Sequence, residues 1–300
     1  MSRPLLELRN VSMSFGGMRV NDDISFSIGK GERVALIGPN GAGKTTLVNV
    51  ISGDLTPSQG AVHLAGVDVT ALPISDRVDA GLIRTFQITR LFKSLTVAQN
   101  VALAVMQRKG LTRSMFSSPM DRQDVRREWE RALGTLGIAH LADRQVSQLA
   151  YGQQRLLDLA IGLALEPKVL LLDEPAAGVP SEESSKIIEA IDRLPSDIAV
   201  LMIEHDMDLV FKFARRVLVL ANGKLIFQGD PAEVTHHQEV RRAYLGSYAD
   251  APPRVLKSKV SVPGMAPPVS SITCRSRSCQ EAVSASLVET ESARRPCSHR

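Results

Sequence analysis

Apolar positions in the first part of the chain fall with the period of a strand. Ile24, Phe26 and Ile28 alternate with polar residues, as a half-buried strand requires, and Leu6–Ser14 resembles a strand too. The turn Gly29-Lys-Gly-Glu32 leads into a short apolar strand, Arg33–Ile37, which runs into a glycine-rich loop and a helix over Thr45–Ile51. Residues 96–165 read as mainly helical, with a polar stretch around 110–123. Two unbroken apolar runs, Val169–Leu172 and Ile198–Ile203, predict buried strands. The helix predicted between them, Pro180–Leu194, opens with Glu182 and Glu183, where a helix dipole favours negative charge. Asn222-Gly223 between Arg216–Leu220 and Lys224–Gln228 signals a hairpin. Asp230-Pro-Ala-Glu233 matches a helix start, with Asp as cap, Pro at the first position and Glu at the third. No internal repeat is visible, and residues 1–248 form one α/β unit in this reading.

Composition changes the picture at the end of the chain. Residues 249–300 hold six of the 16 prolines, ten serines and all three cysteines, with no helical or strand period. Such a segment buries too little apolar surface to offset its chain entropy, so a disordered tail is expected there. The tail also carries the net charge of +4, with eight Lys/Arg against four Asp/Glu, which leaves 28 of each in the body. A neutral body argues against nucleic acid as a partner. A basic arm around Arg275, Arg277, Arg294 and Arg295 is the alternative for the tail. A zinc site there lacks paired ligand spacing. A body without cysteine fits a reducing cytosol, and neither a signal core nor an apolar stretch of about 18 residues is present.

Gly38-Pro39-Asn40-Gly41-Ala42-Gly43-Lys44-Thr45 fits the pattern G-x-x-x-x-G-K-[ST]. About one unrelated chain of this length in a hundred would match by chance, but here the loop follows an apolar strand and precedes a helix. Glycines let backbone N–H groups turn inward on a phosphate, and the helix N-terminus adds positive partial charge. Lys44 then reaches the β- and γ-phosphates and Thr45 offers its hydroxyl to Mg²⁺. The bland alternative is a flexible glycine turn. The loop alone says only that a nucleoside triphosphate binds, since GTPases, kinases, helicases and transport ATPases share it.

Further candidates lie on other strand ends. Val169–Leu172 ends in Asp173-Glu174: Asp173 is expected to hold Mg²⁺ through a water, and Glu174 to polarise an attacking water. Ile203-Glu-His205-Asp is a second strand with a polar end, whose histidine can meet the γ-phosphate; a lone His is more often structural. Gln87, in Arg84-Thr-Phe-Gln87, can touch or sense the metal, although a lone Gln carries little information.

Gln148-Leu149-Ala150-Tyr151-Gly152-Gln153-Gln154-Arg155 precedes an amphipathic helix with Leu156, Leu157, Leu159, Ala160 and Leu163. Over residues 5–248 the chain resembles the ATP-binding subunit of an ABC transporter. Leu149–Gln153 stands where that family has its Leu-Ser-Gly-Gly-Gln signature, and the phosphate loop through Thr46, Gln87, Asp173-Glu174 and His205 follow in the family's order. Phe15 falls where the family stacks an aromatic on adenine, though an aromatic at a strand end is often simply core. The segments Arg84–Gln87, Arg90–Phe92, Leu149–Gln154, Glu174–Gly178, Ile203–Asp206 and Ala243–Gly246 are similar to the branched-chain amino acid importer subfamily, with importers of urea and short amides as relatives.

The resemblance implies a P-loop NTPase (RecA-like) core with an antiparallel β subdomain and an α-helical subdomain at about 88–165. ATP and Mg²⁺ are the implied cofactors. It also implies a head-to-tail dimer with an identical or paralogous subunit, separate transmembrane permease subunits, an extracytoplasmic solute-binding protein and a place on the cytoplasmic face of the inner membrane. Three departures stand out. Ala150 replaces the signature serine, Pro180 stands where many relatives have an aspartate, and residues 249–300 have no counterpart. A soluble ABC-type ATPase working on nucleic acid or ribosomes, a P-loop kinase or GTPase, and a non-hydrolysing cassette are the competing readings. Missing heptads and the neutral body oppose the first, the unexplained signature opposes the second, and intact Lys44, Asp173, Glu174 and His205 oppose the third.

Overall fold

A computed structural model of the chain describes residues 3–85, 91–111, 122–179 and 181–245. Two sheets organise these residues. One is antiparallel, with β1 (Leu6–Phe15), β2 (Met18–Ile28), β4 (Gln59–Leu64) and β5 (Val67–Asp68) in the order β2-β1-β4-β5. The other contains β3 (Arg33–Ile37), β6 (Leu82–Thr85), β7 (Val169–Asp173), β8 (Ala199–Ile203), β9 (Arg216–Ala221) and β10 (Lys224–Gly229) in the order β10-β9-β3-β8-β7-β6. Its pairs are parallel except for β10, which returns antiparallel on the edge through the Asn222-Gly223 turn. Both turn residues have positive φ, +47° and +77°, as a tight hairpin with the right strand twist requires.

The central strands read as unbroken apolar runs because both faces of the sheet are covered. Along β7, Val169 and Leu171 enter one core while Leu170 and Leu172 enter the other, and β8 alternates in the same way. The first core is closed by the antiparallel sheet and by α1 (Lys44–Ser52), through Leu6, Leu8, Ile24, Ile28, Leu47 and Ile51. The second is closed by α3 (Val97–Arg108), α4 (Gln123–Thr135), α5 (Tyr151–Ala164), α6 (Ser181–Asp192) and α7 (Met207–Phe213).

The strands predicted at Leu6–Ser14, Arg33–Ile37, Val169–Leu172 and Ile198–Ile203 lie within a residue or so of the observed ones. The helix expected over Pro180–Leu194 is α6, Ser181–Asp192. The pattern gave no signal for β4 to β6 or for α2 (Ile74–Asp79), whose short lengths carry little periodicity. It also passed over α7 and α9 (Gln238–Leu245), the latter following α8 (Pro231–Val234). Side-chain capping sets the expected α8 start, with Asp230 Oδ1 accepting from Ala232 N–H at 2.8 Å. Gln87, Pro180 and the expected tail at 249–300 lie outside the described residues.

A buried arginine fixes how α1 sits. Arg77 of α2 is 1% exposed, and a Cβ on Gly53 just past α1 would come within 2.8 Å of its Nε. Its guanidinium donates to Val50 O and Ile51 O at 2.7 Å, to Thr70 O at 2.8 Å and to Leu72 O at 3.0 Å. Two of these acceptors are carbonyls of the last turn of α1, which no residue further along the helix can satisfy. Positive charge at a helix C-terminus is the favourable sign.

Candidate functional site

The glycine loop leaves β3 between β8 and β9 and enters α1. Gly38 is there because the backbone of β9 passes close by: a Cβ on Gly38 would lie 2.1 Å from Leu220 O. Gly43 has φ +98°, and its Cβ would meet the Asn21 amide at 2.6 Å. That amide, fully buried, donates from Nδ2 to Gly43 O at 3.2 Å, and Gly223 N donates to Ala42 O at 3.1 Å. The loop is thus braced from β2 and from the β9–β10 turn, two contacts that no motif announces.

Inside the loop Lys44 Nζ donates to Gly38 O at 2.7 Å and to Pro39 O at 3.0 Å. Burial pushes the Lys44 ammonium below the usual lysine range, opposed by the nearby Glu174 charge. The N-terminus of α1 has no side-chain cap and no acidic residue in its first turn. Gly41 and Thr45 are exposed and Thr46 is half-buried. Uncapped N–H groups at the start of a nine-residue helix, with a lysine folded over the loop, form an anion cradle.

Asp173 closes β7, and Glu174 follows with φ +47°, its N–H donating to Ile203 O at 3.0 Å. This left-handed residue turns the chain off the sheet, so the two adjacent carboxylates leave in different directions. Glu174 Oε1 stands 3.7 Å from His205 Nδ1. The His205 side chain is 67% exposed, so it is presented at the surface and not packed as core. Between β8 and His205 lies Glu204, whose side chain is 2% exposed. Its carboxylate accepts from the N–H of Ala176 at 3.5 Å and of His205 at 3.2 Å, and burial holds its pKa above the usual carboxylate range. Glu204 thus ties the turn after Glu174 to the segment carrying His205. Sequence reasoning missed it, and a glutamate before a polar strand end is the only signal it leaves.

The turn Leu149–Gln153 starts α5. Leu149 is buried and Ala150 and Tyr151 are exposed, Tyr151 at 43%. Ala150 has the extended backbone of a helix cap but no side-chain acceptor; only the return half of the box exists, with Ala150 N donating to Gln153 Oε1 at 3.1 Å. Arg155 donates to the Tyr151 hydroxyl at 2.7 Å. The Tyr151 ring lies beside Gly178, where a Cβ would be 3.5 Å from Cε1, so this turn contacts the loop after Glu174. Phe15, at the β1–β2 turn, is 46% exposed, away from the core.

The sequence matches the ABC transporter family over residues 21–177. The chain belongs to that family. It is therefore an ABC cassette, a nucleotide-binding ATPase subunit, and a second match, to the branched-chain amino acid ATP-binding cassette transporter family, covers residues 224–250. The cassette is 38% identical over 253 residues to the high-affinity branched-chain amino acid transport ATP-binding protein LivG of Salmonella typhimurium, covering 82% of this chain and 99% of that one. It is 36% identical over 255 residues to the corresponding protein BraF of Pseudomonas aeruginosa, again over 82% and 99%. Among solved structures, an ATP-binding cassette of an ABC transporter in its ADP conformation superposes with a TM-score of 0.71 at 29% identity, covering 81% of this chain and 99% of that one. No helix among the described residues of the cassette is long and apolar enough to cross a membrane.

Proposed function

We propose that this cassette drives the uptake of branched-chain amino acids by hydrolysing ATP at a seam between two such subunits. One observation carries the reading: Lys44 of the braced anion cradle lies within reach of the Glu174 charge, Glu174 stands 3.7 Å from His205, and Ala150 and Tyr151 of the signature turn are exposed to meet a neighbour. The names of the matched relatives, and the match at 224–250, support branched-chain amino acids over urea or short amides.

In this proposal Lys44 releases the carbonyls of Gly38 and Pro39 and turns to the β- and γ-phosphates, while loop N–H groups from Gly41 to Thr46 take the remaining phosphate oxygens. Phe15 stacks on adenine. Thr45 and Gln87 would hold Mg²⁺, and Asp173 would hold it through a water; a hydroxyl and one carboxylate beside substrate phosphates suit that hard cation. When bound, the metal supplies charge neutralisation on the phosphates. Glu174 orients and accepts a proton from the attacking water, and His205 holds the water and the γ-phosphate. Leu149–Gln153 of a facing subunit offers the N-terminus of its α5 to the same γ-phosphate. ATP then closes the pair, and loss of phosphate opens it. Separate permease subunits carry the solute, supplied by an extracytoplasmic binding protein, and the cassette sits peripherally on the cytoplasmic face of the inner membrane. The tail after residue 248 is accessory to this cycle.

Reconstitution tests the whole reading. Co-expression with its permease and binding-protein partners in vesicles should give ATP-dependent leucine uptake that urea does not compete. Uptake of an unrelated solute, or copurification with RNA in place of membrane subunits, would redirect it.

A further inference from the structure

Arg84 lies on β6, and its guanidinium joins that strand to β7 and to α1. Nη2 donates to Asp173 Oδ2 at 2.7 Å, at the end of β7. Nη1 donates to Asn49 Oδ1 of α1 at 2.8 Å, and lies 3.2 Å from Asp54 Oδ2 and 3.4 Å from Ser52 Oγ. The side chains of Arg84 and Asp173 are 13% and 15% exposed, so the pair is shielded from water, whereas Asp54 is more open. A carboxylate in such a place needs a positive partner, and the planar fork of an arginine can hold it while bonding α1 with its other nitrogen.

The same carboxylate is the one read above as serving Mg²⁺, and the inference rests on that reading. A guanidinium at 2.7 Å and a divalent cation draw on the same negative charge. We infer that Arg84 is a positioning residue for Asp173: it is the resident counter-ion that holds one carboxylate oxygen, and it sets how much Mg²⁺ the cassette needs to bind nucleotide. A purely structural clip between α1 and the sheet would leave the metal requirement unchanged.

The test uses the full chain, adenylyl imidodiphosphate as nucleotide and equilibrium dialysis over a series of Mg²⁺ concentrations. Arg84→Met should lower the half-saturating Mg²⁺ roughly 3- to 10-fold, since a competing positive charge has been removed. Arg84→Gln, which keeps hydrogen-bonding capacity without charge, should lower it likewise. Arg84→Lys should stay within about twofold of wild type, because the charge remains. An unchanged or raised half-saturating Mg²⁺ in a neutral variant that melts cooperatively overturns the inference; if Arg84→Met does not fold, Arg84→Gln decides. Asp173→Asn separates the two layers. If that variant binds nucleotide with wild-type Mg²⁺ dependence, the metal role of Asp173 fails, whatever Arg84 does.

Discussion

Glu174 Oε1 lies 3.7 Å from His205 Nδ1, across the ends of β7 and β8. The distance is beyond a hydrogen bond, so the two groups share a site without being locked to each other. Glu174→Gln should leave nucleotide affinity within about threefold of wild type and reduce turnover at least about 100-fold, the loss typical of a missing general base. His205→Ala should also cut turnover with little effect on affinity. Steady-state phosphate release and nucleotide dialysis measure both, and turnover of Glu174→Gln within threefold of wild type would remove the assigned base.

Lys44→Ala removes the only side chain that bridges Gly38 O and Pro39 O among the described contacts, and with it the proposed phosphate ligand. Nucleotide affinity should fall by at least about tenfold, or 1.4 kcal/mol. Unchanged affinity by equilibrium dialysis would place the nucleotide elsewhere.

Ala150→Ser supplies a hydroxyl at a position that already has cap geometry, φ −61° and ψ 156°. An N-cap oxygen in place of methyl is worth about 1 kcal/mol, so the variant should resist urea more strongly than wild type by that amount. A lower midpoint in urea would show that the exposed turn does not tolerate the hydroxyl.

Arg77→Met leaves carbonyls of Val50, Ile51, Thr70 and Leu72 without their buried donor. The expected cost is about 2–4 kcal/mol, from unsatisfied acceptors at the end of α1. Urea unfolding reads it directly, and a change below about 0.5 kcal/mol would mean that water replaces the guanidinium.

Asp158 on α5 is pushed up to about 6 by burial, with the Arg155 charge acting in the opposite direction. Its folded pKa lies above the unfolded value, so the folded state holds the proton more tightly. The contribution is most favourable in acid and is lost as pH rises through about 6. Asp158→Asn should therefore melt higher than wild type at pH 8, and the advantage should shrink toward pH 5. An equal difference at both pH values would mean that the carboxyl is not desolvated.

The residue pattern alone determined the buried strands β3, β7, β8 and β9, the phosphate loop, the Asn222-Gly223 hairpin and the order of the motif residues. Each of these is local: period, glycine placement and strand-end acids are written in adjacent positions. The family follows from that order, since several short motifs in sequence are far more specific than any one. What the tertiary structure decided is long-range. Asn21 braces Gly43, Arg77 caps α1, Glu204 joins the loops of Glu174 and His205, and Arg84 holds Asp173. These are single polar side chains reaching groups far away in the chain, with no period or spacing to mark them. Their partners are mostly backbone atoms, which every residue carries, so their identity appears only once the strands have paired and the burial of each group is fixed.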